Sequence, residues 1–251
     1  MKRFLSAMLA AVFVFGMSSS IRAADTDANA VLDKAIKALG GQEKLGKVEA
    51  ASWKYKGTIT FNGNENMFNS QSTVQGLDHY RSEFEGEFNG NPVKGVVVVN
   101  GDKGWRKFND ESRELNEEAL AREKRSAYLQ IIATLLVPLK GKGFQIAPAE
   151  STKIDDKPAV GIKGTGPDGK DFTLYFDQES GLPVKLVARV TGFQGEEFTQ
   201  ETTLANYKDF DGIKKATKIE SKRDGERFLD QEITEFKVLD KVAPETFAEP
   251  Q

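Results

Sequence analysis

The sequence predicts a mainly β fold, an antiparallel, incomplete half-barrel of about eleven to twelve strands enclosing a central helix, with a short helix in front of it. Three observations predict it. Most of the chain alternates with period two between turn signals rich in Gly, Asn, Asp and Pro, as strands do. A single stretch, residues 114–139, carries a long helical pattern. Within that stretch, residues 128–137 are apolar except for Gln130 and Thr134, and Pro138 follows. A helix apolar all round at one end has no single stripe to turn inward, so that end must be enveloped. Ten residues at ~1.5 Å each do not cross a ~30 Å bilayer, so the segment is no membrane span. A long meander must also curl or close to protect its edges. A half-barrel holding the apolar helix on its concave side meets both demands, and its interior is a candidate cavity.

The elements follow in order. Asp25, Thr26 and Asp27 offer capping oxygens to a helix over 28–39, where Val31, Leu32, Ala35, Ile36 and Leu39 share one face that should lie on the sheet. Gly40-Gly41 ends it, and 42–45 forms one more turn. Strands are expected at 52–61, 67–75, 80–88, 96–99 and 105–108 before the long helix. Seven more follow it, at 144–147, 159–163, 172–177, 184–190, 196–204, 213–222 and 227–239. In the first strand Trp53, Tyr55, Gly57, Ile59 and Phe61 face one way and Lys54, Lys56, Thr58 and Thr60 the other. Tight turns between consecutive strands make two antiparallel meanders with the helix between them.

The chain opens as an export signal: Lys2 and Arg3, an apolar run over 4–17, three serines, and small residues at Ala23-Ala24. Residues 1–23 are therefore expected to be removed, and 24–251 to form one domain in the periplasm. No cysteine follows the apolar run, so no lipid anchor is expected, and the chain has neither disulfides nor thiolate metal sites. Without Lys2, Arg3 and Arg22 there are 32 basic residues against 38 acidic ones, a net charge of −6. An acidic chain without a basic block argues against nucleic acid and against a polybasic membrane contact.

Motifs that resemble sites have plainer readings. Gly164-Thr165-Gly166-Pro167-Asp168-Gly169 spells a dinucleotide fingerprint, but a strand follows it where the fingerprint needs a helix, and Pro-Asp-Gly is turn chemistry. The oxygen spacing over 62–66 begins like a calcium loop, yet the sixth position is Met67 and the twelfth Thr73. His79, the sole histidine, reads as a surface strand residue. Glu83, Glu85 and Glu87 lie on one side of a strand, which is the wet face of a sheet more readily than a glycosidase pair. A hydrolase using paired acids stays as the least favoured reading. The aromatic residues either fill a core or line a cavity for a lipid chain, as at the mouths of β-barrels.

Several segments together resemble a known family. The helix ending Ala38-Leu39-Gly40-Gly41, the first strand 53–61, the central helix, Leu174-Tyr175-Phe176-Asp177 with Gly181-Leu182-Pro183-Val184, Asp211-Gly212-Ile213, and the closing 244–247 are similar to those of periplasmic outer-membrane lipoprotein-sorting proteins. The resemblance implies an incomplete barrel with helices as a lid, holding acyl chains on its concave face without covalent chemistry. It also implies an arginine in the first half that hydrogen-bonds the lid. Arg81 and Arg106 are the strand arginines there, and neither sits in a motif that assigns it the role. The expected partner is a hydrophobic ligand, a lipid or lipoprotein acyl chain. The alternative is an envelope sensor or scaffold that binds a protein through the same fold. Candidate cavity and lid residues are Trp53, Tyr55, Ile59, Phe61, Phe84, Trp105, Tyr128, Ile131, Ile132, Leu135 and Leu136. No catalytic residue, metal or cofactor is expected.

Overall fold

The period-two segments become one antiparallel sheet of 13 strands in a computed structural model that describes residues 27–61, 63–88 and 90–251. The segment read as an export signal, 1–23, lies outside the described residues, as do positions 62 and 89 of two expected turns. The first six strands are β1 (Ala50–Phe61), β2 (Asn64–Gln75), β3 (His79–Phe88), β4 (Asn91–Asn100), β5 (Lys103–Phe108) and β6 (Glu111–Glu114). The remaining seven are β7 (Gln145–Ile154), β8 (Lys157–Thr165), β9 (Asp171–Asp177), β10 (Pro183–Thr191), β11 (Glu197–Phe210), β12 (Ile213–Arg223) and β13 (Glu226–Leu239). The strand absent from the sequence reading is β6. Its four residues are all exposed, so it carries no alternation to detect.

The spatial order is β6-β5-β4-β3-β2-β1-β13-β12-β11-β10-β9-β8-β7. The two expected meanders are thus one sheet, joined where β1 pairs with β13 and Trp53 lies opposite Phe236. The free edges, β6 and β7, are consecutive in the chain on either side of the long helix α3 (Glu117–Leu135). The helix, 19 residues and so ~28 Å long, contacts β4 in one half of the sheet and β10 in the other. The topology itself makes the half-barrel and stretches α3 across it.

The helix is shorter than its sequence pattern at both ends. Asn116 caps it, accepting the Ala119 N–H at 2.9 Å, and 111–114 is taken by β6. At the other end Leu136 turns to φ 58°, and a 3₁₀ turn, Val137–Lys140, follows. Proline at 138 has no N–H for the Thr134 carbonyl and its ring crowds that carbonyl, which places the break ahead of it. No helix among the described residues is long and apolar enough to cross a membrane.

At the N-terminus, α1 (Ala28–Leu39) starts on Asp27 and buries Leu32, Ala35, Ile36 and Leu39, the face its spacing predicts. With α2 (Gln42–Gly46) it is seated against turns at one end of the sheet: Lys34 donates to the Gln178 carbonyl at 2.7 Å and Lys44 to that of Asp211 at 2.9 Å. Gly40, at φ 142°, comes so close that a Cβ would stand 2.5 Å from the Gly212 carbonyl oxygen. Only glycine allows that approach.

Candidate ligand-binding cavity

Between the concave face of the sheet and α3 lies a cavity of about 920 Å³. One wall rises along β1 through Trp53, Tyr55, Ile59 and Phe61. Exposure grows along that strand from 4% at Trp53 to 47% at Phe61, so the Trp53 end is closed and the Phe61 end open. Phe108, 43% exposed, stands on the same half of the sheet, and Phe193, 61%, lines the cavity from the turn between β10 and β11. Cross-strand register explains the continuous apolar surface: Tyr55, Ser70, Phe84, Gly95 and Phe108 are successive partners from β1 to β5. Phe84 lies flat over Gly95, where a Cβ would come within 2.2 Å of its ring. Leu186, Leu204 and Ile219 carry the surface across the second half of the sheet.

Trp53, Tyr55, Ile59, Phe61 and Phe84 of the sequence candidates line this cavity; Trp105, Tyr128, Ile131, Ile132, Leu135 and Leu136 do not. Trp105 has its neighbours Arg106 and Phe108 on the concave side, so alternation turns it to the other face. On α3 the cavity meets the smaller and more polar face, Ala121, Arg122, Arg125, Ser126, Leu129, Gln130 and Ala133. The opposite face is packed: Ile131 and Ile132 are buried, and Tyr128 stacks edge-on with Phe144, which stacks with Phe172. The apolar end of α3 is enveloped as its composition demands. Its most apolar residues serve as core, while the helix side that faces the cavity was not apparent from hydrophobicity.

Two polar networks hold α3 over the opening. Arg125, 4% exposed, donates to the carbonyls of Arg189 at 2.7 Å and Asp171 at 2.9 Å, to Asp168 at 2.8 Å, and to the Tyr128 hydroxyl. Tyr128 in turn donates to Asp168 at 2.8 Å, and burial pushes its phenol well above the usual range. Asp168 belongs to the Pro-Asp-Gly turn between β8 and β9, so the false fingerprint is a turn, as expected, and also the docking point of the helix. On the first half, Arg106 of β5 donates to Glu123 of α3, which Arg122 also contacts at 3.3 Å. Phe193 lies against both guanidiniums, with its ring centroid 5.0 Å from Arg106 and 5.6 Å from Arg122. Arg81, by contrast, bonds Glu83 and the Thr246 carbonyl. Arg106→Ala should therefore loosen the first half of α3. Amide exchange over 118–126 is expected to quicken about tenfold or more, and unchanged exchange would show that Arg106 does not restrain the helix.

Two cations on the wall, Lys215 and Arg223, are withdrawn from solvent without a direct ion pair among the described residues, whereas Lys170 and Lys214 line it as exposed side chains. Lys215 is 5% exposed, and its Nζ donates to Thr134 Oγ1 at 2.8 Å. Burial pushes it down to about 7. Arg223 donates to Gln200 Oε1 at 3.1 Å and lies 3.5 Å from the Phe228 ring centroid, its pKa lowered first by burial. Neither was singled out from sequence. A signal for Lys215 was present, since it shares the parity of Ile213 and Thr217, both buried. For β11 alternation fails outright. Asn206, at φ 53°, separates Thr202 and Leu204 from Tyr207, and all three line the cavity.

The other candidate sites take their plainer forms. His79 sits beside Asp78 at 3.0 Å and against the Phe247 ring. Glu83, Glu85 and Glu87 are exposed, the first paired with Arg81 and the second with Lys94.

No family model matches the sequence, and no curated protein matches it. Solved structures do. A LolA superfamily protein from Nitrosomonas europaea superposes with a TM-score of 0.59 at 13% identity, over 88% of this chain and 97% of that one. The chain thus has a LolA-like fold. A domain described as an outer membrane lipoprotein-sorting protein, from Vibrio parahaemolyticus, gives a TM-score of 0.55 at 10% identity over 86% of this chain and 97% of its own. A DUF1329 family protein from Desulfovibrio piger gives 0.54 at 12% identity over 88% and 97%. The architecture is thus shared at identities where side chains in the cavity are free to differ.

Proposed function

We propose that the protein is a periplasmic, carrier-like protein that binds a lipid or lipoprotein acyl chain in the cavity and acts without covalent chemistry. The open, largely apolar cavity beneath α3 carries this reading. Its volume of about 920 Å³ is in the upper part of the ~300–1,000 Å³ range of small-molecule sites. Each buried methylene contributes about 0.8 kcal/mol, so some ten of them give roughly 8 kcal/mol, a micromolar affinity compatible with release. The alternative, a sensor or scaffold with the helix as permanent core, would be favoured by a helix that filled the half-barrel. Here α3 is packed on one face and leaves the other open to the cavity, which supports a bound ligand.

Native mass spectrometry of protein purified from the periplasm without detergent, followed by organic extraction, is the test. A stoichiometric lipid mass is expected; an apo mass with no uptake of offered lipid would favour the scaffold. Ala133→Phe, which fills the cavity from the helix side, should cut lipid occupancy at least about tenfold with the melting temperature retained. Ile132→Glu should instead unfold the chain, because Ile132 is fully buried on the opposite face. If Ala133→Phe takes up lipid like the parent, the ligand lies elsewhere.

A further inference from the structure

We propose that the cavity selects a single-chain anionic amphiphile, a long-chain carboxylate, whose head ion-pairs with Lys215 at the closed end while its chain runs along β1 toward Phe61. The inference rests on the lipid-cavity reading and names the ligand class.

Lys215 has three N–H donors, and one is used by Thr134. Thr134 donates its own proton to the Gln130 carbonyl at 3.0 Å, so it meets the ammonium as an acceptor only. Among the described residues no other acceptor bonds Lys215, and no carboxylate pairs with it. Its remaining neighbours are ring faces, Trp53 at 4.9 Å and Phe236 at 5.5 Å, which favour a cation without neutralising it. Three of the four acids on the wall are engaged elsewhere, Glu123 with Arg106 and Arg122, Asp168 with Arg125 and Glu197 with Arg189, and the fourth, Glu118, stands roughly 24 Å along α3 from the Thr134 that holds Lys215. A buried cation without a counter-ion is costly, and natural interiors pair such groups. An incoming carboxylate supplies the missing charge and two acceptors for the free donors. Burial alone lowers Lys215 to about 7, and a bound anion would restore its proton.

The dimensions agree. From Trp53 to Phe61 the strand advances eight residues, roughly 26 Å, more than the ~15 Å that one leaflet's chains fill in a bilayer. A head placed at Lys215 therefore leaves room for a whole acyl chain under cover. Arg223, which interacts with Glu196 but has no direct ion pair among the described residues, offers the opposite orientation and must be separated by experiment.

Equilibrium binding of oleate and of oleyl alcohol, which keeps the chain and removes the charge, decides among these at neutral pH in detergent-free buffer. The full-length mature protein, Lys215→Met and Arg223→Gln are compared. Oleate is expected to bind the parent at least about tenfold more tightly than the alcohol, and Lys215→Met should abolish that preference while keeping the alcohol affinity. Arg223→Gln should leave the preference in place. Equal binding of the two ligands to the parent, or a preference lost in Arg223→Gln and kept in Lys215→Met, overturns the assignment while the lipid-cavity reading stands. Failure of both ligands to bind overturns both.

Discussion

Arg125→Ala is expected to destabilise the protein by about 3 kcal/mol, the low end of the ~3–5 kcal/mol seen when one partner of a buried ion pair is removed. The low end applies because Asp168 keeps a 24% exposed side chain and can recover some water. The effect is still large. Removing the guanidinium leaves the Arg189 and Asp171 carbonyls, the Asp168 carboxylate and the Tyr128 hydroxyl each short of a donor in one step. Arg125→Lys should recover little, since an ammonium lacks the planar fork that serves acceptors in several directions. For a domain of this size the loss corresponds to a fall in melting temperature of roughly 6–12 °C. Thermal unfolding of the two variants measures it, and a fall of only a degree or two for Arg125→Ala would mean that packing of Ile131, Ile132 and Tyr128 alone seats the helix.

The same network marks where sequence reasoning stops. Period two located the strands because each has a wet face and a dry one, and only β6, exposed throughout, escaped. The enveloped helix was legible because its apolar end has no polar side to show to water. What alternation does not encode is which distant strand becomes a neighbour. The β1–β13 pairing merges two meanders into one sheet, and the Tyr55-to-Phe108 row depends on the register between consecutive strands, which alternation alone leaves open. Trp105 was chosen for its ring, whereas register selects Phe108. On α3, hydrophobicity pointed to Ile132 and Leu135 as ligand contacts. A residue that hydrophobic is buried in the protein itself, and the face left for a ligand is the smaller one around Ala133. Polar residues inside were harder still, since the partners of Arg125 and the rings around Lys215 come from distant elements.

Lys215→Met should make the empty protein more stable, by about 2 kcal/mol at pH 6, within the ~1–4 kcal/mol gained when buried ionic groups are replaced by apolar ones of similar size. Methionine matches the length and volume of the stem and needs no acceptor. The gain carries a pH signature that packing alone would lack. Lys215 has its folded value pushed down to about 7 from an unfolded value near 10.5, with burial as the cause. Below pH 7 both states hold the proton and the cost of burying the charge is felt in full. Between 7 and 10.5 the unfolded chain binds more protons than the folded one, so stability of the parent rises with pH across that window. The groups around the ammonium do not blur the effect: Thr134, Trp53 and Phe236 do not titrate there, and the flanking Lys214 and its strand neighbour Lys208 are exposed. The advantage of Lys215→Met should therefore be largest at pH 6 and fall to roughly half or less at pH 9, as read by urea unfolding of parent and variant at both values. An advantage independent of pH would place the ammonium in water. A site that is destabilising when empty gains the most from an anion that fills it.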